Sequence, residues 1–384
     1  MACRSASGPW PSNARHCPRA PFQPGGGTAR LVFPGRVIWA KAPDKFEAGT
    51  PAIVNVIAFA QALRLIRHFG KGAFRDGVAQ ESATLNESPG VEKQADAEIL
   101  YCDKLEQFAG RQLLAELRQT HIGRGMLVPT DRGPRPYINL DNAASTPTFA
   151  PIWEAVCRAW RQPQQVQRAI IDEVKSICAG MMGAPLADYD VVFAFNITEA
   201  INLVAESLGH ESRQGAKPVV VNTLLEHNSN ELPWRRLPGF SLIRFPVDVE
   251  GFLDLNALEA LLRAYNQEHR HGPKRIRLVT LSGASNVLGG YNDLAEIGPI
   301  VHSHGAHLLV DAAQLVAHRK VDMKENGIDY LAFSAHKAYA PFGCGVLVAR
   351  KGLLNFGTAE LAQIHQAGEK LNVYVDDELT NELT

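Results

Sequence analysis

Between residues 137 and 357, short aliphatic, β-branched runs alternate with helical stretches, and nearly every run closes on polar or ionisable side chains. The runs cover 191–195, 218–222, 242–245, 276–281, 307–310, 330–333 and 346–349, with helical patterns over 198–208, 255–265 and 294–304. Strands apolar on both faces must be covered on both faces, and intervening helices supply the cover. The pattern predicts an α/β domain built on a mainly parallel seven-stranded sheet covered by helices. In such a sheet ligands bind at the carboxyl edge, where strands give way to loops. The edge residues here are Asn196-Ile197-Thr198-Glu199, Glu226-His227-Asn228, Ser285-Asn286, Asp311-Ala312-Ala313-Gln314 and Ser334-Ala335-His336-Lys337.

The preceding chain has a different texture. Residues 1–35 are rich in Pro and Gly and read as an irregular arm. Residues 36–134 read as a mainly helical region, with an apolar helix over 53–69, a polar linker over 82–90 and an amphipathic helix over 95–120. The large domain is expected over 135–357 and a tail over 358–384. Asp44 is the first acidic residue, a bias that invites a transit-peptide reading, but Pro9, Pro11, Pro18, Pro21 and Pro24 oppose the helix such a peptide forms.

Composition narrows the function classes. Hydrophobic residues at 46% and charged residues at 21% fit a folded chain. Thirty-nine Lys and Arg against 40 Asp and Glu leave a net charge of -1, with no field for gripping nucleic acid or an anionic membrane. No apolar run reaches the roughly 20 residues of a membrane-spanning helix. The 6 cysteines are scattered without a CxxC pair, which predicts a reducing, cytoplasmic setting with neither a disulfide framework nor a zinc cage. His302, His304 and His307 have a spacing that invites a metal. They are read instead as helix-end charges and turn residues, and no metal is expected.

The strand-end residues fit one cofactor. A lysine held at a loop entrance, as Lys337 is, loses its proton more readily when desolvated and can form a Schiff base with pyridoxal 5'-phosphate (PLP). The pyridine nitrogen then needs a carboxylate, which Asp311 can supply, and Gln314 three residues on can reach the phenolic oxygen. The strand-to-helix turn at Thr198 has the form of an anion site, to which Ser334 and His336 can add donors. His227 can cover the ring face and Asn286 can reach the ring from a further loop. Singly, each residue has an ordinary explanation as surface lysine, helix cap or helix start. Five edges matching one cofactor reverse that ordering.

These motifs also carry a resemblance. Ile138-Asn139-Leu140-Asp141-Asn142-Ala143-Ala144-Ser145-Thr146, followed in order by the five edge motifs, resembles the class V aminotransferase-fold enzymes, especially cysteine desulfurases. The resemblance implies a PLP fold-type I large domain with Lys337 as Schiff-base lysine and Asp311 at the pyridine nitrogen. Gln314 and Asn286 would lie near the ring oxygen, His227 would stack on the ring and take part in catalysis, and Thr198, Ser334 and His336 would hold phosphate. The loop Asn142-Ala143-Ala144 would face the substrate carboxylate. The implied substrate is an amino acid, cysteine, and the implied assembly a homodimer. The sequence departs from the family at Ile197, where Thr or Ala is usual. Cys344, between two glycines, does not correspond to the family's nucleophile. Phe46-Glu47-Ala48-Gly49-Thr50-Pro51, within a stretch over 25–70, resembles a desulfurase segment that ordinarily follows the lysine. The domain carrying the catalytic cysteine and the substrate arginine has no evident counterpart. Alternatives are a class V lyase or aminotransferase acting on another amino acid, and a PLP-binding chain without catalysis.

Overall fold

The computed structural model describes residues 23–33, 36–41, 47–49, 98–101, 107–210 and 215–355. The helix expected over 53–69, the linker over 82–90 and the tail over 358–384 lie outside these residues. Two strands, β1 (Ala29–Phe33) and β2 (Arg36–Trp39), pair antiparallel, so the arm expected to be irregular contributes a hairpin. Its runs of Leu, Val, Ile, Phe and Trp suit a pleated ribbon. The helix expected over 95–120 is interrupted. Helical residues at 98–101 and helix α1 (Gly110–Thr120) are separated before Gly110, whose φ of +54° breaks the run. A small ribbon of β3 (Leu127–Val128) and β4 (Arg135–Pro136) follows, then helices α2 (Ala150–Trp160) and α3 (Gln164–Met181), which the sequence reading passes over.

The large sheet contains β5 (Tyr189–Ala194), β6 (Lys217–Thr223), β7 (Ser241–Phe245), β8 (Lys274–Ser282), β9 (His307–Asp311), β10 (Tyr330–Ser334) and β11 (Gly345–Arg350). Their spatial order is β5-β11-β10-β9-β8-β6-β7. All run parallel except β11, which is antiparallel to both neighbours. The carboxyl ends of six strands and the first residue of β11 therefore share one edge.

Both faces are covered, as the unbroken apolar runs require. On one face, Val219, Val221, Leu308, Val310 and Leu331 pack with Leu258 and Leu262 of α6 (Leu255–Asn266) and with Ile297 and Val301 of α7 (Leu294–Ser303). On the other, Val220, Leu278, Leu309 and Leu347 pack with Ile201, Val204 and Leu208 of α4 (Ile197–His210) and with Trp234 of the short α5 (Leu232–Arg236). A register shift in β8 opposite Val219 and Val220 puts Ile276 and Val279 on the first face and Leu278 on the second. One extra residue thus reverses which side chains face each layer. Val220, Leu278, Leu309 and Leu347 are fully buried, and each such side chain contributes roughly 2 kcal/mol through burial.

Candidate functional site

The predicted edge residues converge. Thr198, His227, Asn286, Asp311, Gln314, Ser334, His336 and Lys337 all line one cavity of about 390 Å³. Asn142, Ala143 and Ala144 are not in its wall. Gln314 Nε2 donates to Ala143 O at 2.7 Å, and Thr146 N–H and Oγ1 both donate to His336 O at 3.0 Å, which hold this loop beside the cavity.

One end of the cavity is the start of α4. Asn196 Oδ1 caps it by accepting from Glu199 N–H at 3.0 Å, while Glu199 Oε2 accepts from Phe195 N–H at 2.7 Å. Ile197 N–H donates to Ser334 Oγ at 2.8 Å, tying the helix start to the end of β10. Thr198 Oγ1 lies 2.8 Å from Ser229 Oγ. At Gly345 a Cβ would lie 2.4 Å from the Asn196 backbone carbon, so only glycine lets β11 begin this close to the helix start. Ile197 stands where the resemblance leads one to expect Thr or Ala, and its N–H is occupied by Ser334 Oγ.

Asp311 ends β9, is buried, and accepts from Ala313 N–H at 3.0 Å. Burial pushes its carboxyl above the usual range, opposed by the Ala313 bond and by the charges of His227 and Lys337. Lys337 closes a 3-10 turn over Ala335–Lys337 directly after β10. Desolvation lowers its pKa, against the pull of Asp311 and Asp141. His227 Nδ1 accepts from Ser229 N–H at 3.2 Å, which leaves the ring proton on Nε2. Desolvation holds this imidazole below its usual range, with Asp311 pulling the other way.

His336 is buried, stacks on Phe342 with ring centroids 5.1 Å apart, and is pushed down to about 4, first by burial and then by Lys337. Its Nε2 is buried without a hydrogen-bond partner. Tyr339, at φ +66°, holds a left-handed backbone that few side chains tolerate, and its N–H donates to Thr146 Oγ1 at 2.7 Å. The turn after Lys337 is held under local strain.

For several participants the sequence assigns no place at the site. Gly26, Gly27 and Gly49 line the cavity although they precede its other walls by more than a hundred residues. Glu226 lies behind His227, with its carboxylate enclosed by Thr223 Oγ1 at 2.6 Å, Asn230 Nδ2 at 2.6 Å and Ser282 Oγ at 2.9 Å. Desolvation raises it to about 7, with Asp311 adding to the rise and the hydrogen bonds opposing it. The sequence signals for the first group were the triple-Gly run at 25–27 and the resemblance of Phe46–Pro51, which contains Gly49, to a desulfurase segment.

The three histidines read as helix-end and turn residues behave differently. His302 Nε2 and His307 Nδ1 lie 2.8 and 3.4 Å from Asp329 Oδ2, and Arg350 Nε lies 2.9 Å from Asp329 Oδ1. His304 instead places Nδ1 2.9 Å from Ile300 O. Asp329 precedes β10, so this cluster occupies the sheet edge opposite the cavity. Burial would raise its carboxyl, but His302, His307 and the Leu308 N–H overcome that and hold it well below the usual carboxylate range. Among the described residues no group of three or more His, Cys, Asp or Glu is arranged to hold a metal ion.

A lysine and a buried carboxylate at neighbouring strand ends, an anion-accepting helix start, an orphaned buried imidazole nitrogen and a close approach reserved for glycine all suit PLP. Together with the mostly parallel seven-stranded sheet they define a fold-type I PLP platform. The chain belongs to the class-V aminotransferase family, whose model matches residues 14–98 and 138–370. That family is PLP-dependent. A cysteine desulfurase of Dickeya dadantii is 41% identical over 187 residues, 48% of this chain and 42% of that protein. One from Klebsiella pneumoniae is 36% identical over 234 residues, 57% of this chain and 55% of that protein. The crystal structure of an Escherichia coli cysteine desulfurase matches with a TM-score of 0.50 at 27% identity, covering 62% of this chain and 58% of that one. The chain spans about half the length of the curated relatives it matches.

Proposed function

We propose that this chain is a PLP-dependent enzyme of the cysteine desulfurase kind, which takes sulfur from cysteine. The observation that carries the reading is the convergence of Lys337, Asp311 and the start of α4 on one cavity, and the desulfurase relatives support the choice of substrate. PLP, when bound, supplies a carbonyl carbon for amine attachment and a ring that takes up negative charge.

Lys337 Nζ would hold the cofactor covalently and would move the proton at the substrate Cα. Its lowered pKa favours the neutral amine both tasks need. Asp311 holds a proton on the pyridine nitrogen. His227, which lines the cavity, would cover the ring face. Gln314 and Asn286 hold the ring oxygen, while Thr198, Ser334, His336 and the α4 start hold phosphate. Asn142-Ala143-Ala144 receives the substrate carboxylate.

Sulfur would leave to a thiolate, a form that burial disfavours at both Cys178 and Cys344. Burial raises both thiols, Cys178 to about 11, so both remain protonated at neutral pH. A second reading is a lyase or aminotransferase acting on another amino acid, which needs no persulfide. A third, catalytically silent PLP binding, shares the same platform. The homodimer follows family analogy, supported by the exposed Leu140, Phe195 and Val287, each close in sequence to a site residue. A cytoplasmic setting is supported by the free Cys157, Cys178 and Cys344. Sulfide production from cysteine plus dithiothreitol, abolished in Lys337→Ala, is the expected result. Turnover of other amino acids without sulfide selects the second reading, and PLP binding without any turnover selects the third.

A further inference from the structure

The turn that presents Lys337 begins where β10 ends. The chain winds at once through Ala335–Lys337. Ala335 O accepts from Ala338 N–H at 2.9 Å and from Ala340 N–H at 3.1 Å, and Ala335 N–H donates to Cys344 O at 2.9 Å. These three bonds are local to the segment between β10 and β11. The tie to the rest of the molecule comes from Thr146, which is 190 residues from His336 and 193 from Tyr339 in sequence. Its N–H and Oγ1 both donate to His336 O at 3.0 Å, and the same Oγ1 accepts from Tyr339 N–H at 2.7 Å. One residue therefore grips the chain just before Lys337 and again two residues after it. A hydroxyl has one proton to donate and lone pairs to accept with, and this one uses both.

The grip matters because the turn is not relaxed. Tyr339 holds a φ of +66°, which a residue with a side chain keeps only where its surroundings impose it. Thr146 Oγ1 fixes its N–H, and Phe149 stacks on its ring with centroids 5.2 Å apart and planes 29° from parallel. Thr146 and Phe149 both belong to the segment joining the Asn142-Ala143-Ala144 loop to α2. Neither Thr146 nor Tyr339 lines the cavity. Their influence on a ligand there runs through the backbone on either side of Lys337.

We propose that Thr146 is a positioning residue for Lys337: its hydroxyl, with the Phe149 ring against Tyr339, straps the turn and fixes where Nζ stands in the cavity, without touching the ligand. The proposal rests on the PLP reading for what Nζ attaches to, but the strap itself is measurable in the ligand-free chain. Thr146→Val keeps a similar shape and the backbone N–H while removing the hydroxyl. Tyr339 N–H then loses its acceptor, and His336 O keeps one of its donors. Thr146→Ser restores the hydroxyl.

Three readouts on the full chain separate positioning from general support of the fold. In the ligand-free protein, Thr146→Val should speed hydrogen exchange of amides 338–340 about fivefold, the weight of one ordinary net hydrogen bond, while amides of β9 and β10 keep their wild-type rates. Mixed with PLP and quenched with borohydride at intervals, the variant should mark Lys337 about fivefold more slowly than wild type. In a Lys337→Ala background, where PLP binds without a covalent link, adding Thr146→Val should leave PLP affinity unchanged. Thr146→Ser should bring both the exchange and the marking rate back to wild type.

The strap is overturned if Thr146→Val exchanges like wild type at 338–340, if it marks Lys337 at the wild-type rate, or if Thr146→Ser restores neither. A matching loss of affinity in the Lys337→Ala background would place Thr146 in the service of the pocket rather than of Lys337. Equally faster exchange throughout β9 and β10 would make it a contact of the fold alone, and either result overturns the proposal. Should Thr146→Val not fold, Phe149→Leu decides, because it keeps the hydroxyl and removes the ring from Tyr339. It should also speed exchange at 338–340, and an unchanged rate overturns the strap. If wild-type protein carries no mark on any lysine, the cofactor reading fails, and exchange in the ligand-free chain alone then decides the strap.

Discussion

Replacing Glu226 by Gln should change how stability depends on pH in a direction that its enclosure fixes. The carboxyl sits among three neutral donors and no cation is bonded to it, so its folded pKa rises to about 7. An acid raised on folding carries its proton in the folded state after the unfolded state has lost it. Folded protein therefore binds more protons between the ordinary glutamate value and about 7, and this group's contribution falls as pH rises through that window. A shift of this size corresponds to about 3 kcal/mol, reduced to roughly 2 kcal/mol because the residue is only partly buried. Gln preserves the shape and can still accept from Asn230 while donating to the Thr223 hydroxyl. Denaturant unfolding of wild type and Glu226→Gln at pH 5, 6, 7 and 8 should show the variant gaining on wild type by roughly 2 kcal/mol from pH 5 to 7 and then holding constant. Parallel stability curves would refute the enclosure argument.

His336→Asn should produce the opposite trend. A histidine lowered to about 4 withholds its proton in the fold, so its contribution is present above the ordinary imidazole range and lost as pH falls from there toward 4. The variant should lose less stability than wild type over that acid window, measured by the same unfolding series. Asp311→Asn should retain the fold, read by far-ultraviolet circular dichroism, yet shift or abolish the pH titration of the bound cofactor's absorption. An unchanged titration would leave Asp311 as a helix cap only. Cys344→Ala should leave PLP binding and any sulfide production unaltered, because its thiol is raised by burial. A persulfide on Cys344 that forms with cysteine and vanishes in Lys337→Ala would reverse that reading.

Asp311, Ser334 and Lys337 were legible because each directly follows an unbroken apolar run, and a strand end in a covered parallel sheet has one place to point. The seven strands were legible for the same reason. The antiparallel direction of β11 was not, since side-chain pattern carries no strand direction. Glu226 was legible as an edge residue but its enclosure was not, because its three partners come from β6, the 3-10 turn at Asn228–Asn230 and the end of β8, and its raised pKa exists only once these meet. His302 and His307 reach Asp329 only when the end of α7 and the start of β9 come beside the residue preceding β10. Gly25 lies in the Pro- and Gly-rich arm, and Gly49 entered only through the resemblance of Phe46–Pro51 to a desulfurase segment. Their contacts with Thr198 and Asn196 span about 150 residues or more, and no local pattern encodes such a distance.

The most direct test of the account is the site of cofactor attachment. The full chain, incubated with PLP, reduced with borohydride and digested, should carry the reduced cofactor on Lys337, with the mark absent from Lys337→Ala. A mark confined to another lysine, or none on wild-type protein, would contradict the assignment of this cavity as a PLP site.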